Sequence, residues 1–410
     1  MVQTTDEKLE KLGQLFPQSD KEGLLDVIVS CNGSLKRSAQ LLGLEDEDAV
    51  SASICGNVKR FKSQQTLSRF MSPSARSIPA TARLSPHSHL QKTIELHTKH
   101  EIEVTLKYCT YHTDVLPQEL AEELLRTTMN DPSYKASQFY LFGNKCTSNH
   151  KSRLFLPAAR SDAFYYNGKE VKDFSLYSDE MMLAQVLIED VVNQALTQRP
   201  QLSFQINPGQ WEAQAALSNL YESNSNLDWH SDRLTTIGPH AVIASLSLGF
   251  SRDFRVRKTY PSNSQVYSIK PKHNSLIIMH AGFQEEYKHC VPLLPKKYNI
   301  PTDDLHILSQ AKRVNITYRN YLFKETAFCK QCGSPMDLRR MFKDARKRGK
   351  YFYQCTKSYT ADNGFKDGKE CKWFAYANFE NGPSLTDDED HCSTWLADDD
   401  VEAKEAQRIE

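Results

Sequence analysis

The sequence predicts a multi-domain chain: a β-rich middle, a small three-helix bundle before it, and a compact cysteine-bearing β module after it. Three patterns carry that expectation. Apolar residues alternate with period two through short segments between 242 and 319, leucines recur at helical spacing in the first 45 residues, and four cysteines gather between 329 and 371. A length of 410 residues exceeds one ordinary domain. No apolar run is long enough to span a bilayer, and the first residues lack a signal-peptide core, so no membrane partner is expected. Ten cysteines, scattered apart from one cluster, argue against a secreted disulfide framework and for a local metal site, and a nuclear location is expected.

The N-terminal region, placed at 1–45, reads as three short helices. Leu9, Leu12, Leu15 and Phe16 share one helical face, Pro17 ends it, and Leu24, Leu25 and Ile28 begin a second helix. Asn32-Gly33 turns the chain, and Leu35, Ala39, Leu41 and Leu42 complete a third. With Phe16-Pro17 at one end and Leu41-Leu42 at the other, this resembles the CUE/UBA-like ubiquitin-binding fold. The resemblance implies that those four residues touch ubiquitin. A Ser- and Pro-containing linker, 46–95, follows and is expected to be disordered. Within it Gln64, Leu67, Phe70 and Met71 resemble a sliding-clamp-binding peptide, with Met71 replacing the usual second aromatic.

The middle region, 96–323, holds the chemistry. In Asp228-Trp229-His230-Ser231-Asp232 a His and an Asp two apart on extended backbone face the same way. With a second, distant His they would form a triad of two imidazoles and one carboxylate, which leaves positions open for a keto acid and dioxygen on non-heme Fe(II). Strands follow at 242–249, 252–257 and 275–279, and His289 comes after them. Arg313-Val-Asn315-Ile-Thr317-Tyr-Arg319 alternates so that two arginines and an amide share a face, a set that calls for an anion such as a dicarboxylic acid.

Asn219-Leu220-Tyr221, His230-Ser231-Asp232, Tyr287-Lys288-His289-x-Val291-Pro292 and Arg313-x-Asn315-x-Thr317-Tyr318-Arg319 stand in the order of the AlkB-like Fe(II)- and 2-oxoglutarate-dependent dioxygenases, which this region resembles. The resemblance implies a double-stranded β-helix (jelly-roll) core with flanking helices. It implies His230, Asp232 and His289 as iron ligands, and Asn219, Tyr221, Arg313, Asn315 and Arg319 as the 2-oxoglutarate site. The implied activity is oxidative dealkylation of N-alkylated bases, with 2-oxoglutarate and O2 as co-substrates. Arg233 and Leu234 stand where DNA-repair members carry two acidic residues beside the base pocket, which leaves the base open. Tyr166 is a candidate to stack on a flipped base.

The module at 324–379 carries Cys329-x-x-Cys332, Cys355 and Cys371, a set suited to tetrahedral Zn(II). With Gly349-Lys350-Tyr351-Phe352 it resembles the GRF-type zinc finger, which implies binding of single-stranded nucleic acid. Lys324 to Phe374 contains thirteen Lys or Arg against six Asp or Glu, and Arg346, Arg348, Lys350 and Phe352 are the expected contacts. Residues 380–410, with eleven acids and two bases, are expected to form a disordered tail that serves solubility or competes for the finger. Three functions fit: a DNA-dealkylating dioxygenase, the same core acting on RNA or protein, and a non-catalytic adaptor binding ubiquitin and nucleic acid.

Overall fold

The computed structural model describes residues 5–16, 24, 27–28, 35, 38–39, 92–141, 144–158, 165–166, 169–294, 300, 302, 305–323, 327–358 and 371–408. The chain forms two compact units, Met1–Lys92 and Thr93–Glu410. In the first, helix α1 (Thr5–Leu15) buries Leu12, and Leu24, Val27, Ile28, Leu35 and Ala39 are buried in helical backbone. Their three- and four-residue spacing is that of an apolar helix face. Phe16 is half-buried, and its amide donates to the Leu12 carbonyl at 2.9 Å. Pro17, Leu41 and Leu42 lie outside the described residues, as do Gln64, Leu67, Phe70 and Met71.

The second unit begins with β1 (Ile94–Leu96), α2 (Lys99–Thr105), β2 (Cys109–Thr113) and α3 (Gln118–Asn130). A hairpin of β3 (Lys135–Leu141) and β4 (Asn144–Leu156) precedes the short β5 (Tyr165–Tyr166), β6 (Lys169–Glu170) and β7 (Ser175–Leu176), then α4 (Asp179–Thr197). The core runs through β8 (Ala215–Tyr221), β9 (Leu227–His230), the helical turn α5 (Leu234–Ile237), β10 (Ile243–Gly249) and β11 (Phe254–Lys258). It continues through β12 (Tyr267–Ile269), β13 (Ser275–Met279), α6 (Phe283–Glu286), β14 (Tyr287–Val291) and β15 (Arg313–Arg319). Strands β8 to β15 interleave between two sheets, β13-β10-β15-β8 in one and β12-β11-β14-β9 in the other. That is the jelly-roll arrangement.

Period-two alternation explains what each sheet face meets. On β15, Val314, Ile316 and Tyr318 are buried together with Leu124, Leu125, Ile188 and Val192 of α3 and α4, as are Ala244, Leu246 and Leu248 of β10. Each such aliphatic side chain contributes about 1.5–3 kcal/mol on burial. Arg313, Asn315, Thr317 and Arg319 take the opposite face, inside the roll. Gly249 closes β10 at φ +80°, where an added Cβ would lie 2.7 Å from the Lys312 carbonyl oxygen, so a side chain there would block the approach of the β15 segment.

A separate four-stranded sheet follows: β16 (Met336–Arg340), β17 (Tyr351–Cys355), β18 (Phe374–Asn378) and β19 (Ser384–Thr386). Two expectations need correction here. The module is not a separate domain bounded at 324 and 379, because Met336, Tyr351 and Tyr353 share one buried cluster with Ile243, Phe283 and Tyr287 of the jelly roll. Nor are residues 380–408 a disordered tail. Ser393 and Trp395 pair by backbone with Tyr351 and Gly349, and Asp400 caps helix α7 (Val401–Ala406), which buries Ala403. Sparse apolar residues among many acids suffice because the basic stretch of the module neutralises them in place.

Candidate active site

Adjacent strands bring the two histidines together. His230 ends β9 and pairs directly with His289 of β14, and their ring centroids lie 4.2 Å apart. Asp232 follows two residues on, where its amide donates to Gln284 Oε1 at 2.7 Å. Its Oδ1 lies 3.6 Å from His230 Nε2 and 3.9 Å from His289 Nε2. His230 Nδ1 is 2.8 Å from the Asp228 carbonyl, which leaves Nε2 for an ion. One donor atom from each of the three residues falls within 4.8 Å of the others, a set that can hold Fe(II) on one side and leave positions open.

Electrostatics hold Asp232 and His289 in the forms that a metal binds. Burial pushes the Asp232 carboxyl up, but Arg319, His289 and His230 overcome it and hold the group down at about 2. Burial, reinforced by His230, pushes His289 down to about 3, so its imidazole is neutral, as a metal requires.

The residues expected to hold the keto acid line the same cavity. Arg313 is buried; Nη2 donates to Ser247 Oγ at 2.8 Å, while Nε and Nη1 have no protein partner. Its guanidinium lies 5.5 Å from the Tyr221 ring centroid, Asn219 Oδ1 is also unpartnered, and Asn315 donates to Ser245 Oγ at 2.8 Å. A buried fork with free N–H groups fits a carboxylate. Arg319 lines the same cavity and also grips Asp232 Oδ2, through Nε at 3.0 Å and Nη2 at 2.6 Å.

The cavity, about 490 Å³, opens in front of these groups. Gln138, Ser148 and His150 of the β3–β4 hairpin form one wall, with His150 stacked on Tyr221 at 5.4 Å and pushed down to about 4 by burial. Arg233 and Thr235 form another. Sequence reasoning missed His150, Gln284, Ser245 and Ser247; the two serines stand at alternate positions of an apolar strand, the signal that could have found them. Tyr166 has its backbone in β5, paired with β6.

The four cysteines also converge. Sγ distances are 3.7 Å for Cys329–Cys371 and 3.4 Å for Cys332–Cys355, and none forms a disulfide. Zinc bound at ~2.3 Å to each sulfur has tetrahedral edges of about 3.8 Å, so the set fits Zn(II). Burial opposes ionisation of Cys332, but hydrogen bonds with Ser334 win and hold its thiol down at about 6.

The expected nucleic-acid contacts divide. Phe352 is half-buried with its ring 6.2 Å from that of the exposed Phe374, and Arg346 is exposed beside Asp344. Arg348 is corrected to an internal residue: it is buried, donates to Asp400 and Glu402, and stacks on Tyr260. Lys350 is likewise engaged, at 2.9 Å from Glu389. The acidic segment has taken the places assigned to phosphates.

Fold and site together define a mononuclear non-heme iron oxygenase with a keto-acid co-substrate. Residues 108–319 match the 2OG-Fe(II) oxygenase superfamily, and the chain belongs to that family as an Fe(II)/2-oxoglutarate-dependent dioxygenase. Among curated proteins it is similar to the alpha-ketoglutarate-dependent dioxygenase alkB homolog 3 of Rattus norvegicus and of Homo sapiens, each 35% identical over 111 residues and 25% of this chain. The match spans about a third of those relatives' length, 34% and 35%. Among solved structures, OsALKBH1 superposes with a TM-score of 0.36 at 12% identity over 52% of this chain and 98% of that one. A 2OG-Fe(II) oxygenase family oxidoreductase from Burkholderia pseudomallei gives 0.34 at 11% over 55% and 95%. No helix among the described residues is long and apolar enough to cross a membrane.

Proposed function

We propose that the chain removes N-alkyl groups from nucleobases, with single-stranded DNA as its principal substrate. One observation carries this reading: the cavity before His230, Asp232 and His289 is roomy and open, and its outer wall is the polar hairpin edge of Gln138, Ser148 and His150. A base swung out of its strand presents hydrogen-bonding edges to such a wall. The likeness to alkB homolog 3 over its matching segment supports the same substrate class. Iron held by His230, Asp232 and His289 would supply the oxidation: 2-oxoglutarate and dioxygen would give succinate and CO2, and the alkyl carbon, once hydroxylated, would leave the base nitrogen as an aldehyde. The chain's own residues do the rest. Arg313, beside Tyr221 and Asn219, holds the far carboxylate of the keto acid, and Arg319 fixes Asp232.

The four-cysteine module, holding Zn(II), presents the next part of the strand path. Cross-strand register puts Arg339, Phe352 and Phe374 on the sheet face that also carries Asp337, whose carboxylate reaches Arg233 in the cavity wall. Aromatic rings and a guanidinium on one face suit stacked bases and phosphate. Arg233 itself favours a second reading, RNA or a protein side chain, since a cation stands where an acid would border an alkylated base. A nuclear location is proposed on composition and cysteine usage, and ubiquitin and clamp binding on the sequence of the first unit and linker alone. Mass analysis of N-methylated single-stranded DNA and RNA after incubation with Fe(II) and 2-oxoglutarate divides the readings: faster demethylation of DNA supports the first, faster RNA turnover the second, and succinate with no demethylation of either rejects nucleic acid.

A further inference from the structure

We propose that Asp337, a residue of the four-cysteine module, is a positioning residue for the iron pocket. Asp337 is 1% exposed. Its Oδ2 accepts from Arg233 Nη1 at 2.8 Å, and its Oδ1 accepts from Thr235 Oγ1 at 3.1 Å. The same Thr235 oxygen accepts from the Leu338 amide at 3.2 Å. Arg233 and Thr235 both line the cavity and follow directly on the ligand Asp232.

The segment they belong to cannot hold itself in place. Helix α5 is a single turn of four residues with no side-chain cap, too short to persist alone. Leu234 and Ile237 bury its apolar side, and its polar anchors include Ser231 on the Tyr287 carbonyl, Gln284 on the Asp232 amide, the Phe323 amide on the Thr236 carbonyl, and Asp337 with Leu338. Asp337 in turn depends on the cysteines. Met336, its neighbour, pairs with Cys355, and Thr356 donates to the Pro335 carbonyl, so the metal-bearing corner fixes the start of β16. The module thus backs the part of the pocket wall formed by Arg233 and Thr235 without lining the pocket itself. This inference rests on the iron site and stands whatever the substrate is.

Amide hydrogen exchange on the full-length, zinc-loaded, iron-free protein tests it. Asp337→Ala speeds exchange across 232–238 at least about tenfold relative to β10 and β15, Asp337→Asn does so by less, and chelation of zinc from the wild type reproduces the local rise. In turnover, both variants raise KM for a methylated single-stranded oligonucleotide more than they lower kcat, and Arg233→Ala/Asp337→Ala is no worse than the worse single variant. Unchanged exchange at 232–238, or a rise shared equally by β10 and β15, overturns the proposal; if exchange responds but no oligonucleotide turns over, only the substrate assignment fails.

Discussion

Arg319 holds Asp232 by a two-pronged grip on Oδ2, at 3.0 and 2.6 Å, while Oδ1 is the oxygen nearest His230 and His289. One carboxylate thus serves a metal and a guanidinium through different atoms. Removing Arg319 frees the carboxylate to rotate. Arg319→Ala is expected to weaken Fe(II) binding about 10–100-fold, and Arg319→Lys, which keeps charge but loses the fork, to fall between. Anaerobic Fe(II) titration reads this; wild-type affinity in Arg319→Ala would show that Asp232 is held by other contacts.

Arg313 carries the opposite signature, since two of its nitrogens, Nε and Nη1, have no protein partner. Arg313→Ala should raise KM for 2-oxoglutarate at least about 100-fold, the loss of roughly 3 kcal/mol from charge-assisted bonds. Thermal stability of the keto-acid-free protein should hold or rise, because an uncompensated buried charge has gone. A large loss of stability would mean that Arg313 is a structural residue.

Arg348 separates a structural cation from a binding one. Buried between Asp400 and Glu402, it should cost about 3 kcal/mol of stability when changed to alanine, whereas the exposed Arg346 should cost almost none. Denaturant unfolding measures the difference. If Arg348→Ala instead unfolds like wild type and loses oligonucleotide binding, the acidic segment is not its partner in solution.

His280 makes stability depend on pH. Burial pushes its imidazole down to about 3, and its Nε2 lies 2.8 Å from Thr110 Oγ1. A base with its folded value lowered contributes stability that is present above the unfolded value near 6.5 and lost as pH falls from there toward about 3. Between pH 7 and pH 5 the loss from this group is about 2 kcal/mol. His280→Gln should flatten that part of the stability profile; an unchanged slope would assign it to other groups.

How far the sequence can be read follows from the range of each interaction. The alternation of Arg313, Asn315, Thr317 and Arg319 reports a strand face directly, and His230-x-Asp232 reports two ligands on one extended segment, so a β-rich core and two of the iron ligands are legible from spacing, whereas the jelly-roll topology rests on the family resemblance. His289 was legible only beside the motifs in family order. The division of labour between Arg313 and Arg319 was not, because identical residues on one face are distinguished only by what the rest of the fold brings to them. Asp337 meets Arg233 across 104 residues, and no local pattern marks that pairing. The acidic segment misleads for a related reason. Its charge reads as a solvated tail, yet Trp395, Ala397 and Ala403 dock while Arg348, Lys347 and Lys350 neutralise the acids around them.

The central claim, an iron dioxygenase that strips alkyl groups from single-stranded nucleic acid, is tested most directly by the mass of an N-methylated single-stranded DNA oligonucleotide after incubation with the protein, Fe(II), 2-oxoglutarate and air. The expected result is loss of the methyl mass, dependent on 2-oxoglutarate and abolished by His230→Ala. An oligonucleotide of unchanged mass, for DNA and RNA alike, while the same preparation converts 2-oxoglutarate to succinate, would contradict it.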